Sequence, residues 1–419
     1  MNTKNKSLNF IDLCCGIGGF HQALHNMGMK CVLASDIDKE CRKTYNNNYN
    51  IVPEGDLSKI NIETMPSFNI LCAGFPCQPF SKAGNQTGFK HNSGNIFFDI
   101  CKIIKYHKPE YLILENVRNL ASHDKGNTWK IIKSKLNDLN YYTYETPTIL
   151  NTLYFGIPQS RERVVILCKR KDLGSLPELP SISKENKKNT SLKDIIETDP
   201  VDTKYTITGK LKITQDVWNN FLNILNKKNI SIPKFPLWTD WWDSDGNNTN
   251  VTKKNKKLTE EENKKTILQK QAAFYKKYTK WIDQNRQFYT TNKTILEPWL
   301  VSSREKTLWK GAVRKMEWQT GSDNLNMTQV LWSPRGSGVR IKKTNYSPTL
   351  VAMTSMIPIY GPKERQLTPR ECARLQSFSE NFKIHNNDQM AYKQFGNAVN
   401  VDMIERSARF LINNEPLFI

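Results

Sequence analysis

Asp12-Leu13-Cys14-Cys15-Gly16-Ile17-Gly18-Gly19-Phe20 is the stretch from which the rest of the chain can be read. The apolar run Leu8–Leu13 before it has the pattern of a buried strand. Phe20, Ala23, Leu24 and Met27 after it fall on one face of a helix, closed by Gly28. A glycine turn between a strand and a helix lets a nucleotide-like ligand come close to the backbone. The next predicted strand, Lys30–Ser35, ends at Asp36, 18 residues after Gly18, where a carboxylate can grip both hydroxyls of a ribose. Asp56 follows a further short apolar stretch and could reach an adenine or its ribose neighbour. A dinucleotide pattern would place a third glycine where His21 stands. That disfavours a nicotinamide enzyme. A nucleoside cofactor without a pyrophosphate, such as S-adenosyl-L-methionine, fits better.

Working outward, Asn69–Ala73, Tyr111–Leu114 and Arg163–Cys168 are predicted strands, and Asn95–Tyr106 and Thr128–Leu139 have helical spacing. Strand and helix in series predict an α/β fold, a doubly wound Rossmann-like sheet. Composition changes near Pro177, where Leu176–Ser191 is poor in large apolar residues and reads as a linker. Nine of the ten Trp lie between Trp218 and Trp332, among many Lys and Arg. The tryptophans read as core, and Lys253–Lys280 as a solvated helix. The α/β style returns after Pro362, and Asp402–Ile412 reads as a closing helix. The expected division is one domain from residues 1–180 and 363–419, with a smaller, basic, aromatic-rich domain of residues 181–362 inserted in it.

Composition narrows the function. Lys and Arg number 61 against 40 Asp and Glu, a net charge of +21, which favours a polyanionic partner such as nucleic acid. No apolar run approaches the roughly 18–20 residues that span a bilayer, and Asp12 breaks the short apolar stretch near the start, so no membrane span or secretory signal is expected. The nine cysteines form no CxxC pair, as expected of a reduced intracellular protein rather than a disulfide scaffold or zinc ribbon. No His-x-Glu or PCxxC occurs, which excludes a zinc cytidine deaminase. No metal site is expected.

Gly74-Phe75-Pro76-Cys77-Gln78-Pro79-Phe80-Ser81 follows the strand Asn69–Ala73, at the sheet edge where α/β proteins bind ligands. A lone cysteine is usually an inert buried thiol, but a cysteine on a Pro-flanked loop beside a cofactor turn is a candidate nucleophile. Glu115-Asn116-Val117 ends the next strand and brings a carboxylate to the same crevice. Arg161 and Arg163, two residues apart on an extended chain, face one side. They could hold a base carbonyl, a phosphate or a thiolate, or form a surface ladder with Glu162.

This order of motifs resembles the DNA cytosine-5 methyltransferase family, of the bacterial restriction-modification type. The matching pieces are FIDLCCGIGGF, ASDID, EGD, GFPCQPFS, ENV, QSRERV, RQLTPRECARLQSF and QFGNAV, spread over residues 8–170 and 346–412. The resemblance implies methyl transfer from S-adenosyl-L-methionine to C5 of a cytosine flipped out of double-stranded DNA. It implies Cys77 as the nucleophile that adds to C6, with its pKa lowered by Arg161. Glu115 would donate to N3 and hold the exocyclic amine, and Arg163 would bind the O2 carbonyl. Phe10 would stack on the adenine, Asp36 take the ribose and Asp56 the adenine amine. Leu13, Gly16, Gly18, Ile37, Leu57, Gly74, Pro76, Asn397 and Ala398, with Val399 beside them, would complete the cofactor pocket. Ile37 departs from the aromatic that many relatives carry there.

Ser81 and Gln78 would touch DNA. Residues 181–362 resemble the target-recognition domain by position, where Arg340, in the basic loop Arg335–Arg340, would read a guanine or a phosphate. Thr349-Leu350 resembles the pair that closes that region. The implied setting is a bacterial cytoplasmic monomer that protects host DNA, with a cognate restriction endonuclease acting separately. An RNA cytosine-5 methyltransferase and a catalytically idle DNA-binding homologue are the alternatives.

Overall fold

The structure, a computed structural model, describes residues 8–76, 96–198, 201–242, 260–321 and 325–418. The chain forms two compact units. The first comprises residues 1–198, 345–354 and 368–419, and the second comprises residues 199–344 and 355–367.

In the first unit, β1 (Asn9–Leu13), β2 (Lys30–Ser35), β3 (Ile70–Gly74) and β4 (Tyr111–Val117) are parallel, as their unbroken apolar runs predict. β5 (Tyr141–Thr143), β6 (Ile149–Asn151) and β8 (Glu162–Arg170) complete a seven-stranded sheet among the described residues. Its order is β2-β1-β3-β4-β8-β5, with β6 also on β8. β8, the strand expected over Arg163–Cys168, runs antiparallel to β4. The short β7 (Gln159–Ser160) pairs instead with β13 (Ser347–Pro348). β2 lies on one side of β1 and β3 on the other, so the chain reverses its winding at β1. Outside the carboxyl ends of β1 and β3, at this reversal, a doubly wound sheet leaves a crevice.

Helices α1 (Gly19–Asn26), α2 (Lys39–Tyr49), α3 (Ile96–His107) and α4 (Asn127–Asp138) connect these strands, and α8 (Pro369–Leu375), α9 (Asp388–Asn397) and α10 (Val401–Asn413) close the unit, α10 against α1. Two glycines set the turn after β1. Gly18 has φ 88°, and a Cβ there would lie 2.2 Å from the Tyr49 ring. A Cβ on Gly19 would lie 2.5 Å from the carbonyl oxygen of Val399, so its absence lets α1 begin against the returning C-terminal segment.

The second unit has its own sheet, made of β9 (Leu237–Trp238), β10 (Lys315–Gln319), β11 (Leu331–Arg335), β12 (Gly338–Lys342), β14 (Ile359–Tyr360) and β15 (Arg365–Gln366), in the order β15-β14-β11-β12-β10-β9. Helices α5 (Gly209–Lys227), α6 (Glu260–Thr291) and α7 (Lys293–Glu305) accompany it. Trp218, Trp242, Trp299, Trp309 and Trp332 form its core, as expected of the tryptophan cluster.

The units divide differently from the composition boundaries at 181 and 362. Residues 181–198 pack with the first unit, where Leu192 is buried and the Glu197 amide donates to Glu371. The second unit runs on to Leu367 because β14 and β15 pair as an antiparallel hairpin that extends its sheet.

Trp218 is fully buried, and its indole N–H donates to the Val313 carbonyl at 2.8 Å. Trp218→Ala should lower stability by about 3–5 kcal/mol, read as the loss of the urea midpoint followed by far-UV circular dichroism. A shift below about 1 kcal/mol would show that this core does not depend on the indole.

Candidate active site

A cavity of about 440 Å³ opens at the crevice, entirely within the first unit. β1 contributes Cys14 and Gly16 from the turn at its end, β2 contributes Ser35 and Asp36, and β3 contributes Gly74, followed by Phe75 and Pro76. Glu115, Asn116, Arg161, Arg163, Gly396 and Asn397 stand around the other side.

The two ends of the cavity differ chemically. At one end Asp36 is held by backbone: its Oδ2 accepts from the Gly16 amide and its Oδ1 from the Asp38 amide, both at 2.8 Å. Burial raises its pKa, and these amides oppose the rise. Asp56 accepts from the Ser58 amide and hydroxyl at 3.0 and 2.8 Å, and Ile37, Leu57, Asp38 and Cys41 also line this end. Two carboxylates and a bare glycine turn match the hydroxyls, amine and close backbone approach of a nucleoside. The residues present therefore fit S-adenosylmethionine.

At the other end Arg163 Nε meets Glu115 Oε1 at 2.9 Å, each side chain being 11% exposed. Register explains the pairing. Glu115 stands opposite Val165, two residues along β8 from Arg163, which puts both groups on one face. Asn116 donates from Nδ2 to the Phe75 carbonyl at 2.8 Å, which ties the end of β4 to the residues that follow β3.

Arg161 is 1% exposed. It donates to the carbonyls of Leu350 (3.0 Å), Gly396 (3.2 Å) and Ala398 (2.7 Å), while its Nε has no hydrogen-bond partner. Burial, then Arg163, lowers its pKa, and Glu115 opposes that. It is thus a strut as well as a charge at the cavity wall.

Several expected residues stand elsewhere. Phe10 does not stack in the cavity. It lies inside β1, fully buried and edge-on to His21 at 5.7 Å, whereas Cys14, at the strand end with φ 52°, lines the wall. Leu13 points into the core beneath the sheet. Gly18 makes room for Tyr49 rather than lining the cavity, and Ala398 enters through its carbonyl on Arg161. The Thr349 hydroxyl donates to the Ser160 carbonyl at 2.7 Å. Arg340 lies in the second unit, paired with Glu317 at 2.9 Å. Cys77, Gln78 and Ser81 lie outside the described residues. Cys14, Cys41 and Asn116 were not predicted as site residues. The signal for Asn116, an amide at the end of a buried strand, was present in Glu115-Asn116-Val117.

All eight described cysteines are free, and burial is the first cause that raises each thiol pKa. Cys14 and Cys41 at the cavity wall are pushed up to about 12, with Asp36 adding to the rise. They remain thiols at neutral pH and are poor nucleophiles. Among the described residues no group of His, Cys, Asp and Glu is arranged to hold a metal ion, and no helix is long and apolar enough to cross a membrane.

The chain matches the model of the C-5 cytosine-specific DNA methylase family over residues 8–413. It is 31% identical to the Type II methyltransferase M.HhaI of Haemophilus parahaemolyticus, over 95% of this chain and 92% of that protein. It is 33% identical to the Type II methyltransferase M.BanI of Aneurinibacillus aneurinilyticus, over 97% and 96%. Among solved structures, a methyltransferase of Entamoeba histolytica (EhMeth) superposes with a TM-score of 0.52 at 15% identity, covering 98% of this chain and 99% of that one. A mutant DNMT2 of Spodoptera frugiperda gives 0.51 at 17%, covering 97% and 99%; both likenesses concern the fold.

Asp12, in β1 just before the glycine turn, is fully buried. Burial, then Asp36, holds its pKa well above the ordinary 3.8. The folded chain therefore keeps this proton after the unfolded chain has lost it, and the group weakens the fold as pH rises above about 4. In a pH series of urea denaturations, the stability of Asp12→Asn relative to the parent should rise by up to about 1.4 kcal/mol per pH unit above that point and stay level below it. A difference independent of pH would refute a neutral Asp12. From its family match over residues 8–413, the chain belongs to the C-5 cytosine-specific DNA methylases and is a DNA (cytosine-5-)-methyltransferase that uses S-adenosyl-L-methionine.

Proposed function

We propose that the protein methylates C5 of a cytosine everted from double-stranded DNA, through a transient bond between Cys77 Sγ and C6, as the protecting member of a restriction-modification system. The observation that carries this reading is the Glu115–Arg163 pair, which shares one cavity with Asp36 and with Phe75 and Pro76, the residues immediately before Cys77 in sequence. Cytosine C5 is a poor nucleophile while the ring is conjugated. Thiolate addition at C6 breaks that conjugation and makes C5 enamine-like.

With the described thiols raised by burial, Cys77 is the cysteine left for this role, and the positive charge of Arg161 at the wall favours its thiolate. Glu115 donates to N3 and holds the exocyclic amine. Arg163, oriented by Glu115 and by its bond to the Glu162 carbonyl, offers an N–H to O2. Asp36 takes the ribose and Asp56 the adenine amine, with Gly16, Ile37, Leu57, Gly74, Pro76 and Asn397 as walls. When bound, S-adenosylmethionine supplies an electrophilic methyl group. Loss of the C5 proton to water re-forms the C5–C6 double bond and expels Cys77 as the thiolate, leaving 5-methylcytosine and S-adenosyl-L-homocysteine.

Ser81 and Gln78 meet the DNA around the target. Thr349 acts as a positioning residue through Ser160, and the second unit is the target-recognition domain. We also infer a monomer in the bacterial cytoplasm, with a separate cognate endonuclease.

Tritiated cofactor should label duplex DNA and leave tRNA unlabelled. DNA carrying 5-fluorocytosine should trap the protein covalently, and Cys77→Ser should abolish both labelling and trapping. Labelling of tRNA alone, or a trapped Cys77→Ser protein, would overturn the reading.

A further inference from the structure

The sheet of the second unit has one face in the core and carries a cluster of charged side chains on the other. Met316 and Trp318 on β10, and Val339 and Ile341 on β12, belong to the core, so Lys315, Glu317 and Arg340 share the opposite face. Parallel pairing sets Glu317 directly beside Arg340. Arg340 donates from Nε at 3.0 Å and Nη2 at 2.9 Å to the same oxygen of Glu317, Oε2. Lys315 Nζ stands 4.0 Å from the other oxygen. Arg335, at the end of the β11–β12 hairpin, is a third cation, and its Nε is buried without a hydrogen bond.

Three cations around one carboxylate leave a positive surplus on a half-buried surface. Burial lowers the pKa of Lys315 and of Arg335, and Arg340 adds to both. Stability alone does not call for such crowding, which an acceptor-rich partner would relieve. The cluster is also held in place. Gly338 has φ +134°, and a Cβ there would lie 2.9 Å from Lys315 Cγ and 3.0 Å from its carbonyl oxygen. Lys315 Nζ in turn sits 4.4 Å from the centre of the Trp281 ring.

With Nε and one Nη2 hydrogen engaged by Glu317, the outer edge of the Arg340 guanidinium presents Nη1–H and Nη2–H side by side. The side chain is 31% exposed, so this edge is within reach of a partner. Two parallel donors match the O6 and N7 acceptors of guanine in the major groove. We infer that Glu317 is a specificity-determining positioning residue, holding Arg340 so that this outer edge reads one guanine of the DNA site. The inference rests on the proposed role of the second unit as the DNA-reading domain.

The test is site preference on a random-sequence duplex library, methylated by the full-length protein and read by bisulfite sequencing. Glu317→Gln and Arg340→Lys should each lose about tenfold or more of the discrimination for guanine, at the same base pair. The double variant should lose little more than either alone. Retention of the parent preference by either variant, however far the overall rate falls, would overturn the inference, because a phosphate contact or a purely structural ion pair slows all sequences evenly. Loss at two different base pairs would overturn it as well. Should Glu317→Gln fail to fold, Glu317→Asp is compared with Arg340→Lys by the same criterion. A parent protein that labels no duplex at all would overturn the proposed function and this inference together, before any variant is made.

Discussion

One buried guanidinium holds the catalytic unit together. Arg161 reaches carbonyls that lie 189, 235 and 237 residues away in sequence, at Leu350, Gly396 and Ala398. It thereby fastens the end of β7 and β8 to the segment after β13 and to the segment that returns past the glycine turn. A buried carbonyl left without a donor costs about 1–3 kcal/mol, so removal of the guanidinium would be felt at three points of the chain at once. Burying a cation is itself unfavourable. Glu115, on the same side of the cavity, offsets part of that cost, so the strut and the proposed chemistry depend on the same charges.

Around this strut the site is assembled from pieces that do little singly. The crevice exists because β2 and β3 flank β1 on opposite sides. Backbone amides orient Asp36, and a diagonal across antiparallel β4 and β8 brings Glu115 to Arg163. Asn116 then links that pair to the strand end before Pro76. Each functional group is fixed by a regular element or a backbone contact, which suits a reaction that depends on orientation.

The polar groups beneath the glycine turn have a different role. His21 shares a 2.7 Å hydrogen bond with Tyr45 and stacks on Tyr49 at 3.8 Å, and Tyr49 donates to the Gly18 carbonyl at 3.0 Å. Burial lowers the His21 pKa to about 3 and raises that of Asp12, so both side chains favour their neutral forms. A layer without net charge under the turn leaves Asp36 as the carboxylate that lines the cavity at the end of β2.

The sequence by itself determined the first four strands, the glycine turn, Asp36 and the tryptophan-rich insert. Apolar periodicity and glycine spacing are local, and parallel strands buried on both faces leave long apolar runs. Eight family motifs in order supplied the chemistry. Periodicity could not tell Phe10 in the core from Cys14 at the wall, because that difference lies in where β1 ends and the backbone turns left-handed. Nor could composition place the end of the insert, since β15 joins the second sheet by hydrogen bonds rather than by residue type. Arg161 as a strut, Glu115 with Arg163, and Glu317 with Arg340 were decided only by tertiary structure. The two ion pairs depend on strand direction and register, and the strut on carbonyls 189 to 237 residues away in sequence, so no local pattern encodes them.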